Sequence, residues 1–425
     1  MGDRHVVLKY DGGEIEFPIV EGTEGGHGFD IGNLRAETGL VTLDYGFANT
    51  AGTQSSVSFV DGVAGELRYR GYSIEDLAEH STFLEVSYLL FYGELPTKAA
   101  LDAYIQDVTR HTLLNEEMKR LFDAFPKSAH PMAILASATN AMATFYPDFH
   151  NPTDPYAVEQ SALRLIAKMP TVASYAYKKS MGQPYVYPRN DLDYVSNFLH
   201  MMFALPVEDY EIDSVVAKAL DVLLILHADH GQNCSTSTVR LAGSSQANLF
   251  TSVAAGMSAL WGPLHGGANQ RVVEMLAQIN EDGRDFQKYI DKAKDPDDPF
   301  RLWGFGHRVY KNYDPRAKIL KGFAYEVIDR IGSDDPLLDI ALKLEEAALG
   351  DDYFAERRLY PNVDFYSGLM FRALGFPVRM FTVLFAIGRL PGWVAQWREM
   401  TEDPETRIGR PRQIFSGNTT RSIER

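Results

Sequence analysis

The sequence predicts a mainly α fold: a large helical domain, a smaller inserted helical domain and a short β-rich N-terminal segment. Three observations carry that expectation. From about residue 73 onward, apolar residues recur at helical spacing. Runs of Val and Ile at period two are nearly absent after residue 60. Composition shifts near residues 262–267 and 375–377 set off the stretch between them. On these signals residues 1–50 form the β-rich segment, 51–266 with 376–425 the large domain, and 267–375 the small domain.

Taken in order, Val6-Val7-Leu8-Lys9-Tyr10 and Glu14-Ile15-Glu16-Phe17 flank Asp11-Gly12-Gly13, which reads as two strands around a glycine turn. Residues 21–50 are Gly-rich and irregular. Ser73-Ile74-Glu75-Asp76 resembles a capping box with Asp in the acidic position. Leu77, Phe83, Leu84, Tyr88 and Phe91 continue that helix until Gly93 and Pro96 end it. Further helices fit 97–110, 130–145, 157–180, 191–204, 211–228, 246–260, 267–280, 315–331, 336–348, 363–374 and 377–399.

Composition narrows the class. The 425 residues are 45% apolar and 23% charged, as in ordinary globular chains, which excludes disorder, collagen-like repeats and a coiled-coil rod. Against 57 Asp and Glu stand 41 Lys and Arg, a net charge of −16. Such a field repels nucleic acid and anionic membranes, so neither is an expected partner. An anionic substrate therefore requires a local cluster of Arg and His. The single cysteine, Cys234, forms no intrachain disulfide and fits a reducing compartment. With no signal-peptide run, no myristoylation start and no spanning apolar stretch, a cytoplasmic location is expected.

Five segments could carry chemistry. In His227-Ala228-Asp229-His230 the two imidazoles share a helix face; they are either satisfied residues at a helix end or part of an anion site. The Glu and i, i+4 spacing of a helical zinc site are missing. In Gly262-Pro263-Leu264-His265-Gly266-Gly267, His265 stands beside the N-terminus of the helix that follows. A helix N-terminus disfavours a second proton, and a neutral imidazole can donate to a developing enolate oxygen. The alternative is a His in a tight turn.

Gly304-Phe305-Gly306-His307 runs on to Asp314-Pro315-Arg316. Val309 replaces the third glycine of a dinucleotide fingerprint, so that reading fails. Asp314 reads as an N-cap and Pro315 as the first helical residue. Arg316 then lies where a helix repels cations, which points to an anion nearby. Asp364, in Asn362-Val363-Asp364-Phe365, is either a helix cap or a general base whose apolar neighbours raise its basicity. Arg389 is one charge in a long apolar run and needs a carboxylate, from substrate or from the chain. Arg410 lies in a basic tail.

Together these segments resemble the citrate synthase family. The Gly-aromatic-Gly-His start followed by Asp-Pro-Arg is specific to it, and the other segments follow in the family's order from about residue 40 to the C-terminus. His227-Ala228-Asp229-His230 and Pro188-Arg189-Asn190-Asp191 are closest to a bacterial form with an N-terminal β-rich segment. The resemblance implies condensation of acetyl-CoA with oxaloacetate and water to citrate and CoA, with no metal or other cofactor. It implies that Asp364 is the base, His265 the enol partner and His307 the residue polarising the ketone. It places His230, Arg316 and Arg389 on the oxaloacetate, with Arg410 supplied by a partner subunit, so the active unit is at least a homodimer. Trp303, Gly304 and Gly306 would offer backbone to the CoA adenine, and Arg308 and Lys311 would meet its phosphates.

Some bacterial relatives are hexamers inhibited by NADH. Arg110, His111, Thr112, Tyr146, Arg164 and Lys168 resemble that nucleotide site; read alone, they are a run of helix-surface residues. Where those relatives have Glu after the His230 position, this chain has Gly231. The nearest competing activity is 2-methylcitrate synthesis from propionyl-CoA, since one methylene discriminates by only about 1–3 kcal/mol. A metal hydrolase built on His227 and His230 and an acyl-CoA-binding scaffold are further alternatives.

Overall fold

The computed structural model describes residues 4–331 and 336–423. They fall into two compact units: residues 1–54 with 410–425, and residues 55–409.

In the first unit, strands His5–Tyr10, Gly13–Glu21 and His27–Phe29 form an antiparallel sheet in that order. The glycine turn is where the sequence puts it, with Val6 opposite Phe17 and Tyr10 opposite Gly13. Gly13 takes a φ of 137°, open to glycine but strained for other residues. The third strand carries no period-two signal because it is only three residues long.

The second unit is helical. Eighteen α-helices occur among the described residues of the whole chain, and most expected helices are present within a few residues. The segment after Ser73 differs: it forms two helices, Ile74–His80 and Phe83–Tyr92. Ser73 caps the first by accepting from the Asp76 amide, and Thr82 caps the second by accepting from the Glu85 amide. Thr82 thus restarts the helix, and the apolar spacing alone runs straight across the break. Helices Met118–Ala124, Cys234–Gly243, Phe286–Lys294 and Asp352–Glu356 also lack a clear sequence signal. Cys234–Gly243 is rich in Ser and Thr, which favour caps over helix interiors, and it forms by burying Ser235, Thr236 and Val239.

A small sheet, Ser58–Asp61, Glu66–Tyr69 and Tyr72–Ser73, lies where the sequence shows almost no strand pattern. It matters for the site. The Tyr69 hydroxyl donates to the backbone at Ile225 and Asp229, and Ser58 Oγ donates to Asp229 Oδ2 at 2.5 Å.

The central element is helix Phe381–Glu402. It packs against helices Phe83–Tyr92, Pro155–Met181, Ser214–His227, Cys234–Gly243 and Leu249–Leu260. The span Val378–Glu402 is long and apolar enough to cross a membrane, but its apolar window is 89% buried within the protein. Two glycines set its closest crossing. A Cβ on Gly388 would lie 2.9 Å from His227 Cβ, and one on Gly392 would lie 2.1 Å from Ala228 O. Only glycine lets the end of helix Ser214–His227 come this near Arg389. In a second group of helices, Ala268–Glu281 and Pro315–Ile331 pack with Val363–Ala373, and Pro336–Leu349 packs on Ala268–Glu281.

Candidate active site

Arg389 is the electrostatic centre. It is 1% exposed, its Nε donates to His227 O at 2.6 Å, and its guanidinium carbon lies 5.0 Å from the Phe385 ring centre. Burial pulls its pKa down, while the charges of Asp229 and Asp364 oppose that and Arg316 adds to it. Burial lowers the pKa of His227, His230 and His265, and the same guanidinium lowers each further. The nearby chain carboxylates are Asp229 and Asp364; neither forms an ion pair with it among the described residues.

Arg316 is differently placed. Its Nε and one terminal nitrogen form a bidentate pair with Asp314 at 3.0 and 2.9 Å, and both residues are at least 97% buried. Asp314 Oδ1 also accepts the Arg316 amide, and Oδ2 the Val363 amide. The anion that the sequence leads one to expect near Arg316 is therefore, first of all, its own helix cap. One terminal nitrogen is left over for a ligand.

His265 departs from expectation in an instructive way. Helix Ala268–Glu281 has Gly267 at its N-cap and no side-chain cap hydrogen bond. Instead His265 Nε2 accepts the Ser235 amide at 3.2 Å and contacts Ser235 Oγ at 2.8 Å. Ser235 is in the first turn of helix Cys234–Gly243. The helix N-terminus acting on His265 thus belongs to another part of the chain. An amide can only donate, so Nδ1 carries the ring proton. Desolvation first, then Arg389, lowers the pKa to about 4, and the ring is neutral at pH 7.

His307 has the opposite tautomer. Its Nδ1 accepts the amides of Val309 and Tyr310 at 3.0 and 3.1 Å, so Nε2 holds the proton. Burial and Arg316 lower its pKa to about 4. The His307 and His230 rings lie 5.4 Å apart, and His230 Nε2 is 3.1 Å from the Tyr310 hydroxyl. Desolvation, Arg316, His307 and Arg389 together push the His230 pKa well below the ordinary value. His227 is 1% exposed; its Nδ1 donates to Leu223 O, and its Nε2 has no hydrogen-bond partner among the described residues. Among the described residues no three His, Cys, Asp or Glu side chains gather as metal ligands.

Asp364 is not the cap of its helix. Asn362 is, with Oδ1 accepting the Asp364 amide at 3.0 Å. The Asp364 carboxylate makes no hydrogen bond with the described residues. Desolvation raises its pKa to about 6, against the pull of Arg316 and Arg389 and with help from Asp314. A short ladder ties it to the His307 loop. Gly306 N donates to Tyr360 O, Asn362 N to Gly304 O, and Asn362 Nδ2 to Gly306 O, all within 2.9 Å.

That ladder uses the Gly304 carbonyl and both Gly306 backbone groups internally. Trp303 is half-buried beside it, and Arg308 and Lys311 are exposed. Arg410 is exposed and belongs to the first unit. Of the other basic and aromatic positions, the Lys168 ammonium donates to His111 O and Leu113 O, and burial lowers its pKa to about 8. The Arg164 guanidinium carbon lies 5.2 Å from the Tyr146 ring centre and the Lys168 nitrogen 5.8 Å from it. The Thr112 carbonyl accepts from Thr171, and Arg110 is exposed.

Sequence reading misses Ser235, Asp229 and Tyr310 as parts of this site. Tyr310 sits inside the motif, but nothing in a linear pattern aims its phenol at His230, 80 residues earlier.

Comparisons with known proteins show the family. The family profile "Citrate synthase, C-terminal domain" matches residues 46–412. The chain is 58% identical to citrate synthase 1 of Mycobacterium tuberculosis over 419 residues, covering 99% of this chain and 97% of that one. It is 55% identical to the citrate synthase of Corynebacterium glutamicum, covering 98% and 95%. Among solved structures, the citrate synthase of Pyrobaculum aerophilum superposes with a TM-score of 0.83 at 35% identity, covering 98% and 96%. That of Thermoplasma acidophilum, solved as a ternary complex with carboxymethyl coenzyme A and oxaloacetate, gives a TM-score of 0.80 at 29% identity, covering 90% and 98%.

Proposed function

The chain belongs to the citrate synthase family, an enzyme family of acyltransferases, and from that premise we propose how its own residues condense acetyl-CoA with oxaloacetate and water. The single observation that carries the assignment is that three groups share two buried guanidinium groups: the desolvated Asp364 carboxylate feels both Arg316 and Arg389, the neutral His265 feels Arg389, and the neutral His307 feels Arg316. Asp364 takes a proton from the acetyl methyl group, and the C–H electron pair moves into the enol. His265 donates Nδ1–H to the enol oxygen as charge builds there. The enol carbon attacks the oxaloacetate ketone carbon, the C=O electron pair moves onto the ketone oxygen, His307 Nε2–H polarises that oxygen by hydrogen bonding, and the proton held by Asp364 balances the charge formed there. Water then cleaves the thioester, releasing citrate and CoA.

Arg389, the free nitrogen of Arg316, and His230 hold the oxaloacetate oxygens, with Arg410 of a partner copy completing the set. This local cluster lets an acidic protein bind an anion. Trp303, Gly304, Gly306, Arg308 and Lys311 border the CoA. Closure of residues 267–375 over the ligands would keep water out until carbon–carbon bond formation. Every step is assigned to side chains, with no resident metal.

The test follows free thiol released from acetyl-CoA and from propionyl-CoA, each with and without oxaloacetate. Release should depend on oxaloacetate and favour acetyl-CoA; equal or greater turnover of propionyl-CoA would instead support 2-methylcitrate synthesis. A second reading concerns regulation. Arg164 and Lys168 flank the Tyr146 ring, an arrangement that favours an anionic nucleotide over Arg110, His111 and Thr112. NADH titrated into the assay should inhibit, and flat activity into the millimolar range would reject the site.

A further inference from the structure

We propose that Tyr310 is a positioning residue that orients both imidazoles of the oxaloacetate pocket: its main-chain amide holds His307 and its phenol holds His230. Three observations place it there. Its amide nitrogen lies 3.1 Å from His307 Nδ1, and its hydroxyl lies 3.1 Å from His230 Nε2. Its ring centre is 4.8 Å from that of His307 and 5.5 Å from that of His230. The Arg316 guanidinium carbon sits 5.9 Å from the same ring centre. The side chain is 1% exposed, so these contacts fix its geometry within the site.

The two contacts do different work. The amide can only donate, and it keeps His307 Nδ1 unprotonated whatever side chain stands at 310. The phenol is the replaceable part. Burial raises its pKa, so it keeps its proton and can donate to His230. Burial first, then the charges of Arg316 and Arg389, hold the His230 pKa well below the ordinary value, so the ring stays neutral. A neutral ring has no charge to align it, so a hydrogen bond must set its rotation and tautomer. No other hydrogen bond to its Nε2 occurs among the described residues. Tyr310 therefore acts on the substrate through His230, and it need not touch the substrate itself.

The proposal rests on His230 being a ligand of the oxaloacetate. The test is a double-mutant cycle with Tyr310→Phe, which keeps the ring and its packing, and His230→Asn. Steady-state kinetics are measured for both substrates, with thermal melting as a control for folding. Tyr310→Phe should raise KM for oxaloacetate about tenfold, the effect of one oriented hydrogen bond. KM for acetyl-CoA and kcat should stay within about twofold, and the melting temperature should hold. In the His230→Asn background the same substitution should add less than about twofold, because the group it acts through is gone. An unchanged KM for oxaloacetate in Tyr310→Phe, or the same increment in both backgrounds, would overturn the proposal while leaving the ligand role of His230 standing. An unchanged KM in His230→Asn alone would instead remove that ligand role, and the proposal with it.

Discussion

The Ser235 amide donates to His265 Nε2 across 3.2 Å, joining two residues 30 positions apart in the chain. This one bond settles which nitrogen of His265 carries a proton. It also puts the ring at the N-terminus of helix Cys234–Gly243, where a second proton is unwelcome.

His265 and His307 should therefore stay neutral far below the usual imidazole range. Both pKa values fall to about 4, so neither ring charges between pH 5 and 8. Nitrogen-15 NMR of the unliganded enzyme should show an Nδ1–H tautomer for His265 and an Nε2–H tautomer for His307. Titration of either near pH 6.5 would contradict the environments described.

Asp364 works only when deprotonated, and burial raises its pKa to about 6. The acetyl-CoA kcat/KM should accordingly climb with pH up to about 6 and level off above it. Asp364→Asn should lower kcat by roughly a thousandfold or more with the fold intact. A near-native rate in that variant would mean another group is the base.

The same shift has a consequence for stability. The folded pKa lies above the unfolded one, so the folded state holds its proton more tightly. Stability from this group is present at low pH and is lost as pH rises through about 6. Asp364→Asn should thus be the more stable protein at pH 8, by about 1–3 kcal/mol, with the gain vanishing near pH 4. Denaturant midpoints at the two pH values measure it, and equal differences at both would refute the desolvation argument.

Gly392 has no room for a methyl group. A Cβ there would meet Ala228 O at 2.1 Å and Asp229 Oδ1 at 2.6 Å. Gly392→Ala should cost about 1–3 kcal/mol and, by displacing the turn that carries His230, raise KM for oxaloacetate. A neutral effect on both would show that this turn yields easily.

Arg389→Lys keeps the charge but loses the planar fork, along with the bond from Nε to His227 O. KM for oxaloacetate should rise at least about tenfold, while KM for acetyl-CoA changes little. An equal rise in both constants would place Arg389 in the fold rather than at the substrate.

Much was legible in the residues alone. Apolar period determined most helices, since a buried stripe at 3.6 residues is a local property. The Gly-Phe-Gly-His to Asp-Pro-Arg run, Asp364 and Arg389 marked the site, because unusual polar groups in apolar surroundings need a reason. What only the tertiary structure decided is which partner answers each of them. Asn362 rather than Asp364 caps the helix, Asp314 rather than a ligand first neutralises Arg316, and Ser235 rather than the next helix fixes His265. Hydrogen bonds act over about 3 Å, and Ser235 and His265, 30 positions apart, reach that distance only after the helices have packed; in the other two pairs the residues are neighbours in sequence, and what the pattern leaves open is which polar group takes which role.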